Sequence, residues 1–72
     1  MNIDMVQKVE PIRAEFARYG FTAQPLQRWQ IAHLINLGFN RETIYQSGCD
    51  WAGNTFETFA DLVEYYKQED TA

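Results

Sequence analysis

The sequence predicts an all-α protein, a compact orthogonal bundle of about four short helices. Apolar residues recur at spacings of three and four along most of the 72-residue chain, which marks one buried stripe on each of several helices. Two glycine–phenylalanine pairs, Gly20-Phe21 and Gly38-Phe39, each follow such a stripe directly. A glycine there supplies the left-handed residue that ends a helix, and the apolar residue after it packs back on the last turn. No segment alternates apolar and polar residues in the manner of a half-buried strand. The short turns between stripes exclude a long parallel bundle.

Met5, Val9, Ile12, Phe16 and Tyr19 form the first stripe, with Asn2 or Asp4 able to cap its start. Pro11 falls inside it. An interior proline costs about 3 kcal/mol, so either a kink or a second short helix with Pro11 in its first turn is expected. Gly20 takes the position after the cap, with Phe21 set to meet Phe16. The second helix is expected from about Ala23 to Leu37, with Thr22 as cap and Pro25 in the first turn, where its missing N–H is harmless. Leu26, Trp29, Ile31, Leu34, Ile35 and Leu37 give it a broad apolar surface. Gln27, Gln30, His33 and Asn36 recur every third residue as a polar, almost uncharged stripe. Gly38, Phe39 and Leu34 repeat the stop of the first helix, which reads as the same signal used twice rather than as an internal repeat.

Asn40 caps a short third helix, Arg41 to Ser47, which Gly48 is expected to end. Residues 48–54 then read as a loop holding Cys49 and Trp51. Asn54 is the expected cap of the fourth helix, with Glu57 at its third position. Phe56, Phe59, Ala60, Val63 and Tyr66 form its apolar stripe, and Glu57, Asp61 and Glu64 line the other side. Trp29, Phe16, Phe59 and Leu34 are the expected centre of the core. Residues 1–3 and 68–72 are expected to fray, and the whole chain forms one domain.

Apolar residues make up 46% and aromatic residues 15% of the chain, too much for a disordered segment. The N-terminal residues carry acids and lack a long apolar core, so no secretory signal is read there. No apolar run approaches the roughly 18 residues needed to cross a bilayer. One cysteine allows no internal disulfide and suits a reducing compartment, so a cytoplasmic location is expected. The initial Met and the polar tail read as a complete small gene product. The net charge of −4 hides an asymmetry. Residues 1–41 hold Lys8, Arg13, Arg18, Arg28 and Arg41 against Asp4, Glu10 and Glu15, a balance of +2. Residues 42–72 hold Glu42, Asp50, Glu57, Asp61, Glu64, Glu69 and Asp70 against Lys67 alone, a balance of −6.

No catalytic constellation is visible. Cys49 and His33 are the only candidates for a thiol–imidazole pair and have no orienting third group. One His and one Cys cannot close a zinc site, and the acids lack the alternate spacing of a calcium loop. No enzyme activity, cofactor or metal is therefore expected.

The stretch from Trp29 to Gly48, "WQIAHLINLGFNRETIYQSG", resembles the first two helices of the trihelical helix-turn-helix of resolvases and homeodomain-like proteins. That resemblance implies a third, reading helix beginning near Thr55, whose outward residues would be Glu57, Asp61 and Glu64. DNA affinity is built on Lys and Arg contacts to phosphate, so this charge opposes docking. Gln and Asn of the amide stripe would remain as readers of adenine. A second likeness spans Gln30 to Tyr66. "LINLGF", followed by Gly53-Asn54, is similar to the helix ending and Met/Leu-Gly-Phe loop of the ubiquitin-associated domain, a three-helix protein-binding module. It implies a ubiquitin-facing surface built from Leu37, Gly38, Phe39 and Leu62.

Charge favours a protein partner over DNA. The leading expectation is a small acidic non-enzymatic regulator, an inhibitor or adaptor of phage or bacterial type, that docks on a larger protein. That partner would present a basic surface, including one that normally holds nucleic acid. The expected contact residues are Gln27, Gln30, His33 and Asn36 of the amide stripe with Phe39 and Trp51 at its edge, and Glu57, Asp61 and Glu64 as the steering acids. A helix-turn-helix regulator and a ubiquitin-associated-like module are the alternatives. Neither a membrane nor nucleic acid is expected as partner, and a homodimer stays open.

Overall fold

The computed structural model of the chain describes residues 2–71, with side chains as far as Glu69. It is all-α, with four helices and no strand among the described residues. The extents are 29 × 26 × 18 Å, so no one axis dominates, as expected of a compact bundle rather than a long parallel one.

Helix α1, Ile3–Arg18, starts where Asn2 Oδ1 accepts the Met5 N–H at 2.8 Å. Pro11 lies inside α1 without dividing it. Pro11 and Gln7 are both exposed. The Gln7 carbonyl, which loses its usual donor at Pro11, can therefore turn to water. Gly20 ends the helix at φ +91°, and the Phe21 ring meets Phe16 edge-on at 5.6 Å, the predicted stop.

Helix α2 spans Arg28–Asn36 and is shorter than predicted. Residues 23–27 are not helical. Leu26 is fully buried from within this connection, so it fills the core without belonging to a helical stripe. Gln24 Nε2 donates to the Arg13 carbonyl at 2.9 Å and ties the segment to α1. The expected cap, Thr22, gives way to Gln27, whose N–H donates to Gln30 Oε1 at 2.7 Å, the reach-back half of a capping box. At the other end Gly38 (φ +88°) donates to the Ile35 carbonyl, and Phe39 donates to Leu34. These two bonds are the Schellman pattern the sequence implies.

Helix α3, Arg41–Ala52, is capped by Asn40, whose Oδ1 accepts the Thr43 N–H at 2.8 Å. It does not stop at Gly48. That glycine is buried inside the helix because a Cβ there would lie 2.5 Å from Cε1 and Cζ of Phe16. Gly48 makes room for a core ring, and its helical propensity is a secondary matter. The end comes later, where Asn54 adopts φ +57° and donates to Trp51, while Thr55 donates to Asp50. Asn54 thus closes α3 rather than opening α4. Cys49, expected beside a helix end, is exposed within α3.

Helix α4, Phe59–Thr71, starts later than predicted, where Thr58 Oγ1 accepts the Asp61 N–H at 3.1 Å. The tail expected to fray from Gln68 continues as helix to Thr71. Met1 and Ala72, also expected to fray, lie outside the described residues.

The core joins Val9, Ile12 and Phe16 of α1 to Leu26, to Ile31 and Leu34 of α2, to Phe39, to Ile44 of α3, and to Leu62, Val63 and Tyr66 of α4. Phe16 and Leu34 are at its centre as expected, but Phe59 is only half-buried and Trp29 is 57% exposed. Trp29 precedes Ile31 by two residues, about 200° around a helix, so burying Ile31 turns Trp29 outward. The Tyr66 hydroxyl donates to Asp50 Oδ2 and links α4 to α3. Burial, and secondly that carboxylate, hold the Tyr66 phenol well above its ordinary pKa. No helix among the described residues is long and apolar enough to cross a membrane.

Candidate protein-binding groove

The outward turn of Trp29 has a consequence at the surface. Trp29, lifted off the core, stands at one side of a groove of about 780 Å³ between α1, α2 and α4. Asn2 caps α1 and Met5 lies in its first turn, Trp29, Ala32, His33 and Asn36 come from α2, and Phe59 and Ala60 from the first turn of α4. Ala32 and Ala60 lack bulk, which leaves the space open between the larger side chains. The indole of Trp29 meets the Phe59 ring edge-on at 5.5 Å, and Trp51, from the last turn of α3, meets the same ring at 5.8 Å. Trp29 is also held by its own Nε1–H, which donates to Gln27 Oε1 at 3.1 Å. An aromatic side chain fixed in this way presents area at small further cost in conformational entropy.

The predicted contact residues divide into four groups. His33 and Asn36 line the groove, and Trp51 supports it from behind Phe59. Gln30 and Phe39 do not reach the surface, with 6% and 8% exposure. A spacing of three falls short of a full helical turn, so a stripe of that period drifts around the axis. It carries Gln30 under the cap of its own helix. Phe39, as the residue after the Gly38 stop, packs back into the core. Gln27 is exposed but precedes α2 and is engaged by Trp29. Glu57, Asp61 and Glu64 are exposed, as expected, although Glu57 precedes α4. Sequence reasoning missed Asn2, Met5, Trp29, Ala32, Phe59 and Ala60 as lining residues. The offset of Trp29 from Ile31 was the available signal.

Charges around the groove are unevenly paired. Glu10 of α1 takes Arg28 at 2.7 Å and Arg13 at 3.3 Å, and Glu15 takes Arg18 at 3.4 Å. The hydrogen bond from Arg28 holds the Glu10 carboxyl below its ordinary range, against an opposing contribution from burial. Asp4, Glu57, Asp61 and Glu64 enter no ion pair among the described residues. The surface implied by the ubiquitin-associated resemblance is not present as such, because Leu62 is fully buried and Phe39 nearly so. Among the described residues no group of three or more His, Cys, Asp or Glu is placed to hold a metal ion. No family model, no curated protein and no solved structure matches this chain.

Proposed function

We propose that this protein is a small non-enzymatic regulator that acts by docking on a larger protein through the α1–α2–α4 groove. One observation carries the reading: Trp29 is 57% exposed at the side of a concave surface with Met5, Phe59 and Ala60. Tryptophan is the residue type most concentrated at the energetic centre of protein interfaces, and a concave apolar surface with few polar groups is the usual receptor shape. The exposed carboxylates of Glu57, Asp61 and Glu64 would act at longer range, raising the rate of encounter with a positively charged partner. Asp61 and Glu64 also weigh against the helix-turn-helix alternative, since they are exposed on the helix that would have to approach phosphate.

Affinity capture from the host cell with the wild-type chain and the Trp29→Ala variant, side by side, tests the proposal. A defined protein retained by the wild type and lost by a folded Trp29→Ala variant is the expected result. Equal retention by both, or none by either, overturns it.

A further inference from the structure

We propose that the partner element seated in this groove is a basic amphipathic helix, which rests on the protein-binding reading above and specifies its chemistry. The shape comes first. The groove lies among three helices and no strand edge exists among the described residues, so a partner strand has nothing to extend. The lining pair Trp29 and Phe59 stand edge-to-face at 76°, so they form a corner and not the parallel ridges that suit a proline-rich segment. A corner floored by small residues takes side chains projecting from a rod, the helix-in-groove arrangement. This chain supplies the concave surface, and the partner therefore supplies a convex one.

Charge then selects the sign. The N-terminal ends of α1 and α4 both border the groove. Each amounts to roughly half a positive charge, which alone would favour an anion. Asp4 and Asp61 sit in those same first turns and each brings a full negative charge. Glu64 is exposed one turn beyond Ala60 on the same side of α4, and Glu57 is exposed two residues before Phe59. Arg28, next to Trp29 in the chain, is held on Glu10, and the Lys residues one turn from these acids, Lys8 after Asp4 and Lys67 after Glu64, are fewer than the four carboxylates. The balance at the rim is negative, so Lys or Arg flanking an apolar stripe matches it, and Glu or Asp would be repelled.

The test uses the full chain and synthetic amphipathic helices roughly five turns long. One has Leu on the apolar stripe and Lys elsewhere, a second has Glu in place of Lys, and a third is a Lys-bearing proline-rich peptide. Amide chemical-shift changes locate binding and titrations give affinity. The Leu/Lys helix is expected to shift Met5, Trp29, Ala32, His33, Phe59 and Ala60, and to bind at least about tenfold tighter than the Leu/Glu helix. Glu64→Lys, at an exposed position, is expected to weaken it severalfold and flatten its salt dependence, and Trp29→Ala to abolish it with the melt retained. Equal binding of both helices in the groove overturns the basic partner while leaving the docking surface standing. Preference for the proline-rich peptide, shifts confined to α3 and the outer side of α4, or no binding by any peptide overturns the proposal. The capture experiment above decides the protein-binding reading separately.

Discussion

Replacing Gly48 by Ala separates two physical readings of one residue. In an exposed helix interior, alanine is favoured over glycine by about 1 kcal/mol. At Gly48 the added methyl would lie 2.5 Å from two ring carbons of Phe16, against an optimum of about 3.5–4.0 Å between carbons. The ring cannot swing aside freely. It is fully buried and has Phe21 edge-on at 5.6 Å and Tyr45 at 5.3 Å. Overpacking of this kind costs about 1–3 kcal/mol, which exceeds the propensity gain and leaves a net loss of about 1 kcal/mol. For a chain of this size that lowers the Tm by about 4–8 °C. Thermal unfolding followed by circular dichroism measures it. The double variant Gly48→Ala/Phe16→Leu should show a coupling above about 0.5 kcal/mol, because a smaller side chain relieves the clash. A Gly48→Ala Tm at or above that of the wild type would refute the reasoning.

Tyr66 predicts a loss of stability in alkali. Its raised pKa means that the folded state keeps a proton the unfolded chain releases near pH 10.0. Stability is therefore complete below that pH and falls above it. A melt at pH 8 compared with one above pH 10 should show the drop in the wild type and a smaller one in Tyr66→Phe. Asn54 holds φ +57°, where a Cβ costs about 1–2 kcal/mol and asparagine is better tolerated than other branched residues. Asn54→Gly should match or exceed wild-type stability in urea titration, and Asn54→Val should fall by about 1 kcal/mol. Random-sequence duplex DNA should give no retained band in a mobility shift at physiological salt, because α4 exposes Asp61 and Glu64. A band whose affinity falls steeply with salt would restore the helix-turn-helix alternative.

The helix stops at Gly20 and Gly38 and the cap at Asn40 were legible in the sequence, and the first cap was narrowed to Asn2 or Asp4, because each is a local device whose partners lie within about five residues. The starts of α2 and α4 and the end of α3 were not. Each turns on a competition that local pattern cannot decide. Leu26 has the spacing of a helical residue but fills the core from an irregular segment. Gly48 has the look of a stop but faces Phe16, more than thirty residues away. Asn54 suits a helix start as well as a helix end, and the capping hydroxyl of Thr58 settles which. The site was half legible for the same reason. The acids are exposed, as their charge implies, and His33 lines the groove. Trp29 reaches it by facing away from the buried Ile31, and the sequence shows their offset but not which of the two is buried.

The segment 19–27 is the longest connection in the fold, and such segments are where proteases first enter. Arg18 and Arg28 bracket it as sites for trypsin. Cleavage requires several residues to leave the surface together, and next to Arg28 these include Leu26, buried in the core, and Gln24, bonded to Arg13. Exposing one leucine side chain costs roughly 1.5–3 kcal/mol, a large share of what holds so small a chain folded. Digestion at Arg28 is therefore coupled to loss of part of the core, whereas the exposed bond after Arg18 is cut without it, so the order of the two cuts separates core opening from the looseness of a loop.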